Sequence, residues 1–353
     1  MRISFIGPDS PGQVTGGLIY NQKVLEHLRE NGDEVQVVLL PRRYPNNFVD
    51  DGSSEFRQWL AKPGNLVLQD EVLHIPLFHL NGSLKNLPKV VIVHHLDSSE
   101  PGGKWQNKVV RAFERRYLNS VDALIYASAA TKSEVESLLQ TDKPSIIAYP
   151  GCDRLHAEIT ESEILARAER AGPLRLLYVG NLIARKGLVY LLEVMSRLPV
   201  QTARLEVIGS SEFEPSYGEL IEGLISKEAL GDRVSRLGRL SDTELAQRYR
   251  ENQVIAVPSF LEGYGIVYGE GMAFGLPAIS SADGARAIID EGVNGFLIAP
   301  GDVDSLCELI LRLHEDRGLL ARMSLAARER YRKLPTWEGA VVRIREFLVA
   351  LTL

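Results

Sequence analysis

Cysteine is nearly missing from this 353-residue chain: Cys152 and Cys307 are the only two, far apart and in no CxxC pair or histidine-rich cluster. That argues against a disulfide framework or a structural zinc site and fits a reducing compartment, so a cytoplasmic location is expected. Long hydrophobic runs are missing too. No stretch of about 18 apolar residues occurs, so no spanning helix is expected, and the opening MRISFIG is too short an apolar run for a secretory signal. A basic excess is absent. Lys+Arg number 40 against 46 Asp+Glu, for a formal net charge of −6, which argues against a dedicated nucleic-acid binder. The G-x-G-x-x-G fingerprint is absent, which disfavours a dehydrogenase, and no serine sits in a G-x-S-x-G elbow. Repeats and low-complexity tracts are lacking as well.

What is present suits two ordinary globular cores. Hydrophobic residues make up 45% and charged residues 24%, and the length fits two domains of roughly 150 residues. RISFI (2–6) reads as a buried strand, IYNQKVLEHLRENG as a helix with Ile19, Val24, Leu25 and Leu28 on one face, and EVQVVLLP as a second strand. That strand–helix–strand unit starts a parallel sheet. Further strands are expected at 72–75, 90–94, 123–127 and 145–149. The character changes over 150–173, where the boundary is placed. A second series follows: LRLLYVG, GLVYLLEVMSRL as a helix, RLEVIG, QVIAVPS, PAISS and GFLIA. DVDSLCELILRLHED places Leu306, Leu309, Ile310 and Leu313 at helical spacing with Asp302 as N-cap. The expected architecture is two doubly wound α/β domains facing a cleft, with ligands beyond the carboxyl ends of the strands.

The stretch LEGYGIVYGEGMAFGLP (261–277) carries most of the chemistry. Glu262 falls in a loop after an apolar strand and Glu270 about one turn inside a short helix. Between them Gly263, Tyr264, Gly265, Ile266 and Val267 form the helix start, whose unpaired N–H groups and dipole suit a phosphate. Carboxylates on either side suit the hydroxyls flanking a diphosphate, as in a nucleotide sugar; the plainer reading is a glycine-rich turn with solvated acids. In YVGNLIARKGL (178–188), Arg185 and Lys186 stand at a strand-to-helix junction where a guanidinium fork and an ammonium can meet diphosphate oxygens. In VTGGLIYN (14–21), Gly16 and Gly17 let backbone approach a ligand before a helix. In VVIVHHLD (90–97), His94 and His95 end a strand. DVD (302–304) matches a metal-binding DxD pattern, but it opens a periodic helix, so capping is preferred. KWQNKVVRAFERRYL (104–118) stripes Lys104, Lys108, Arg111 and Arg115 beside Trp105, Val109, Phe113 and Tyr117. Such a helix either lies on an anionic membrane or buries its apolar side on the sheet.

The sequence resembles the retaining glycosyltransferases of GT-B fold, family 4 (glycosyltransferases group 1). EGYG, GEGM and GLPA stand where the E-x7-E signature of that family usually reads EGFG, LEAM and GLPV, and IIDEGVNGFLIAPGD (288–302) continues the likeness. The resemblance implies that Glu262 binds the donor sugar's hydroxyls, Glu270 the ribose, and Lys186 the diphosphate. The family's G-R-x4-K-G has Asn181 in the arginine position here, so Arg185 is expected to supply that contact. The double glycine would close the first domain over the diphosphate, and His94, in preference to His95, would serve the acceptor and donor sugar. A front-face route with no protein nucleophile is implied, with His94, Glu262 and Lys186 as the catalytic set. The implied domains are 1–172 with a C-terminal crossing helix (335–353), and 173–334. No cofactor or metal is expected. The expected partners are a UDP- or GDP-sugar donor and a sugar or lipid-linked acceptor, with no nucleic acid and a membrane contact through 104–118. The alternatives are a nucleotide-sugar epimerase of the same fold, which would want a different acid/base set, and a non-catalytic nucleotide-sugar-binding protein, against which His94 speaks.

Overall fold

A computed structural model describes residues 1–41, 66–84, 87–100, 103–139 and 142–352. The chain forms two compact units, 1–150 with 337–353, and 151–336.

The first unit is built on a six-stranded parallel sheet of order β2-β1-β3-β4-β5-β6. Its strands are β1 (Arg2–Asp9), β2 (Glu34–Pro41), β3 (Leu66–Asp70), β4 (Lys89–Val93), β5 (Ala123–Tyr126) and β6 (Ser145–Ile147). β3, β4 and β5 are buried along their whole length, as expected of parallel strands covered on both faces. Helix α1 (Gly16–Glu30) is capped by Thr15, whose side chain accepts from Leu18 N, and buries Tyr20, Asn21, Val24, Leu25 and Leu28. The strand expected at 72–75 is not one. The sheet strand lies earlier, at Leu66–Asp70, and the chain then turns into helix α2 (His74–Asn81). Asp70 causes the exit: its carboxylate accepts from Val72 N at 3.0 Å and caps the turn, while Pro76 tolerates a helix's first turn, where no N–H is needed.

Helix α3 (Lys104–Ser120) separates two sets of residues that the sequence pattern had grouped. Tyr117 and Leu118 are buried, whereas Trp105 is 77% exposed and Val109 also faces outward. Helix α4 (Ala129–Glu136) follows β5. The last helix of the chain, Trp337–Ala350, belongs to this unit and packs on α1. It buries Val341, Ile344 and Leu348. Trp337 meets Tyr20 edge-on at 5.9 Å, and Arg345 Nε donates to Asp33 Oδ2 at 2.7 Å.

The second unit has a six-stranded parallel sheet of order β12-β11-β10-β7-β8-β9. The strands are β7 (Leu174–Val179), β8 (Ala203–Ile208), β9 (Val234–Gly238), β10 (Val254–Val257), β11 (Ala278–Ser280) and β12 (Gly295–Leu297). Counted from β7, this is the doubly wound order 3-2-1-4-5-6, whose switch point lies between β7 and β10. The helices are α5 (Glu161–Ala168), α6 (Leu188–Arg197), α7 (Pro215–Lys227), α8 (Asp242–Glu251), α9 (Ile266–Ala273), α10 (Val303–Glu315) and α11 (Arg317–Tyr331), so the last helix, Trp337–Ala350, is α12. Asp302 caps α10 by accepting from Ser305 N at 3.0 Å, in keeping with the capping expectation for DVD.

Residues 151–172, expected with the first domain, lie in the second unit. Arg167 explains the placement of α5. Its buried guanidinium donates to the carbonyl oxygens of Gly275 (2.8 Å), Tyr249 and Arg250 (both 3.4 Å). No described helix is long and apolar enough to cross a membrane.

Candidate functional site

The loops after β7 and β10 meet at the switch point of the second sheet. After β7 the chain makes a short 3-10 turn, Ala184–Lys186, closed by Gly187 in the left-handed region at φ 69°. A Cβ at Gly187 would stand 2.1 Å from the carbonyl oxygen of Pro258, so only glycine lets this turn press against the end of β10. Phe260 N then donates to Arg185 O at 2.8 Å, and Arg185 Nη1 donates to Leu261 O at 2.6 Å. These bonds set Lys186 opposite Glu262: Nζ lies 2.5 Å from Oε1, and Ser259 Oγ donates to the same oxygen at 2.6 Å.

Both side chains of this pair are largely buried. Burial opposes charge on each and pushes Lys186 down from the usual lysine range. For Glu262 burial works upward, but the nearby Lys186 and Arg185 cations outweigh it and hold the carboxyl below its ordinary range. The carboxylate is thus kept ionised. Its Oε2 takes no bond from the described residues, and two of the three Lys186 N–H donors remain for another acceptor.

Helix α9 begins beside this pair. Its N-cap is Gly265, at φ 90°, which offers no side-chain cap, and its first turn carries no acid. The N–H groups of Ile266 and Val267 are therefore not taken by a capping side chain, and the positive end of the helix is not neutralised. Tyr268 anchors the helix by donating to Val257 O at 2.7 Å. Tyr264 is buried, while Gly263 is half-exposed.

Glu270, a turn further on, is only 2% exposed. Arg154 Nε and Nη2 reach its Oε1 at 3.1 and 3.0 Å, and Tyr249 OH donates to Oε2 at 3.3 Å. Burial raises its pKa, and Arg154 opposes that rise. Asn181, in the position where the family pattern has arginine, lends its carbonyl to Tyr178 OH at 3.3 Å.

In the first unit, a second constellation forms at the ends of β1, β3 and β4. Gly16 and Gly17 are the first residues of α1 rather than a loop before it. A Cβ on Gly17 would come 3.0 Å from His94 Cδ2, so the bare glycine lets the helix rest on the imidazole. Tyr20 meets the same ring edge-on at 5.3 Å. His94 N donates to buried Glu71 at 2.9 Å, and its Nε2 lies 3.8 Å from Asp70 Oδ2, which also accepts from Asn21. Burial lowers the His94 pKa more than Asp70 raises it, so the ring is neutral at pH 7. His95 points elsewhere and pairs with Glu100 at 3.1 Å. Among the described residues, Asp70–Glu71–His94 and His95–Asp97–Glu100 are the two groups whose ligand atoms lie close enough to share a cation.

Several residues at these sites were not singled out from the sequence. Ser259 directly follows an apolar strand and its proline, a position that marks the carboxyl end of a sheet. Asp70 ends LVLQD, whereas the strand expected from the sequence, 72–75, begins beyond it. Arg154 has no local signal, because its partner Glu270 is 116 residues away.

Two doubly wound parallel sheets, with the last helix returning to the first unit, are the GT-B architecture of glycosyltransferases. Residues 161–330 match the family described as glycosyl transferases group 1. An uncharacterized glycosyltransferase of Methanocaldococcus jannaschii is 28% identical, with 90% of each chain covered. Among solved structures, sucrose-phosphate synthase from Thermosynechococcus elongatus superposes with a TM-score of 0.83 at 22% identity, covering 99% of this chain and 98% of that one. HepE from Anabaena, solved in complex with UDP-glucose, gives 0.80 at 20% identity, covering 99% of this chain and all of that one. The two structural likenesses show the fold. Over 161–330 the chain belongs to the group 1 glycosyl transferases, and it is a transferase of glycosyl groups.

Proposed function

We propose that the chain moves a sugar from a nucleoside-diphosphate sugar to an acceptor with retention of anomeric configuration, without a metal ion. The observation that carries this reading is the Lys186–Glu262 pair beside the uncapped start of α9. Glu262 Oε2 is suited to accept a donor-sugar hydroxyl. The two remaining Lys186 donors, Arg185 and the Ile266 and Val267 N–H groups suit the diphosphate, whose charge grows as the sugar–phosphate bond breaks. Glu270 takes a ribose hydroxyl. The acceptor oxygen forms its bond to the anomeric carbon on the face that the phosphate leaves, and its proton passes to the departing phosphate oxygen. Gly16 and Gly17 serve the diphosphate, and His94 serves the acceptor side. The UDP-glucose bound to HepE supports a UDP-sugar as the first donor to try.

The acceptor reading follows from α3. Trp105, Lys108, Val109, Arg111, Arg115 and Arg116 are exposed, and the helix's one acid, Glu114, is turned inward to accept from Ser98 N at 3.0 Å. This face suits an anionic lipid surface, which favours a lipid-linked acceptor met at the cytoplasmic side of a membrane.

A thermal-shift series with UDP-, GDP- and ADP-sugars tests the donor, since a ligand at 100 times its Kd stabilises by about 2.7 kcal/mol. Turnover with the stabilising donor and a panel of acceptors, followed by NMR of the product's anomeric centre, tests transfer and retention. Activity is expected to survive EDTA. Absence of any shift, or a product of inverted configuration, removes the reading; loss of activity on chelation, restored by Mn²⁺, removes its metal-free part.

A further inference from the structure

The second unit contains a charged cluster of which the proposed chemistry uses only Glu270. Arg154 lies in the turn after the boundary at Gly151 and spans two acids. Its Nε and Nη2 both reach Glu270 Oε1, at 3.1 and 3.0 Å, and its Nη1 bonds Asp242 at the start of α8. The side chains of Arg154 and Glu270 are 18% and 3% exposed, and that of Asp242 is 62% exposed. Asp242 is thus an outer anchor, Arg154 a bridge, and Glu270 the enclosed end. An ionised carboxylate offers about four acceptor positions. Arg154 covers Oε1 with a hydrogen bond from Nε and an ion-pair contact from Nη2 at 3.0 Å, and Tyr249 takes one position on Oε2, which leaves one, on Oε2.

We propose that Arg154 is a positioning residue for Glu270: it immobilises Oε1 and leaves Oε2 to accept one ribose hydroxyl of the bound nucleoside diphosphate, not both. This rests on the reading of Glu270 as the ribose contact. Two consequences follow from the geometry. A planar fork that meets two acids through three nitrogens cannot be replaced by lysine, which is a single point charge. Removing the guanidinium also strips the buried carboxylate of its counter-charge. The groups facing Glu270 are then Tyr249 and Asp242 from α8 and the Cys152 thiol from the same turn as Arg154. None of these replaces the lost cation at the carboxylate. Burial already pushes Glu270 upward, so its ionised, hydroxyl-accepting form would be reached only at higher pH.

Calorimetric titration of the full chain with UDP, GDP and ADP identifies the diphosphate that binds, and its 2′-deoxy and 3′-deoxy forms are then compared. Wild type is expected to lose affinity with one deoxy form and not the other. Arg154→Gln is expected to bind about tenfold more weakly at the acidic end of a pH series, to recover as pH is raised, and to lose the deoxy discrimination. Arg154→Lys should restore only part. In a Glu270→Gln background, Arg154→Gln should add no further loss, the signature of a coupled pair. An Arg154→Gln variant with wild-type affinity and pH profile overturns the proposal. So does one that melts earlier while keeping that profile, for then Arg154 only tethers the turn. Loss of affinity with both deoxy forms shows that Oε1 is released, and overturns it equally. A separate result sinks the underlying reading: Glu270→Gln binding like wild type with no deoxy discrimination, or no binding of any of the three diphosphates.

Discussion

At the scale of single residues, the central feature is a carboxylate held ionised in a nearly closed environment. Glu262 keeps its charge because Lys186 stands 2.5 Å away and Arg185 is near, not because water reaches it. Glu262→Gln keeps the shape and removes the charge. A hydrogen bond to a charged group is worth about 1.5–3 kcal/mol, so kcat/KM is expected to fall about 10- to 150-fold, while affinity for the nucleoside diphosphate without its sugar changes little. Steady-state kinetics alongside calorimetry with that diphosphate checks this, and unchanged kcat/KM would falsify the role given to Glu262. Glu262 and Lys186 were legible in the sequence because each sits among glycines at a strand-to-helix junction. Two neighbouring details were not. Arg185 spends a donor on Leu261 O, and it is His94 that packs against Gly17 and Tyr20, which lie far from it in sequence.

At the scale of elements, one buried carboxylate supplies the polar anchor of α12. Asp33, just before β2, is almost wholly buried and accepts from Arg345 Nε at 2.7 Å and Nη2 at 3.4 Å, with the Met1 amino group at 2.5 Å. Burial raises its pKa, but these cations outweigh that and hold the carboxyl below the usual aspartate range. A depressed acid stabilises the fold above its unfolded pKa, about 3.9, and that contribution is lost as pH falls through the lower folded value. Asp33→Asn is therefore expected to loosen α12 at pH 7, with faster amide exchange across 337–350, and the difference from wild type should close as pH falls through the depressed Asp33 pKa. Equal protection of α12 in the two proteins at pH 7 counts against this account. The helix itself was legible from its periodic Val341, Ile344 and Leu348. Its anchor was not, because Asp33 and Arg345 are 312 residues apart.

At the scale of the whole molecule, the proposed membrane contact rests on the exposed basic and aromatic face of α3. A basic residue near an anionic leaflet contributes about 1 kcal/mol. Lys108→Gln with Arg115→Gln should then lower partition onto phosphatidylserine vesicles about 30-fold, and Trp105→Ala should lower it further. High salt should release the wild type. Flotation of the full chain with such vesicles reads this directly; wild-type protein that stays with the buffer at low salt removes the membrane reading.

By itself the sequence determined the class of fold, the order of most elements and the identity of the charged residues at the second sheet's switch point. Those properties are local. Buried parallel strands announce themselves as apolar runs, helices by their period, and ligand-facing turns by glycine beside charge. Tertiary structure decided what local pattern cannot encode: where the units divide, which strand carries Asp70, which histidine packs under Gly17, and which base of the fold holds Glu270. Each of these depends on partners brought together across a long stretch of chain. Arg167 binds α5 to carbonyls 82 to 108 residues away, and Arg154 reaches Glu270 across 116. A guanidinium in a turn looks the same in sequence whether it is solvated or buried against a carboxylate. Only the packing that removes water from around the pair gives it a role.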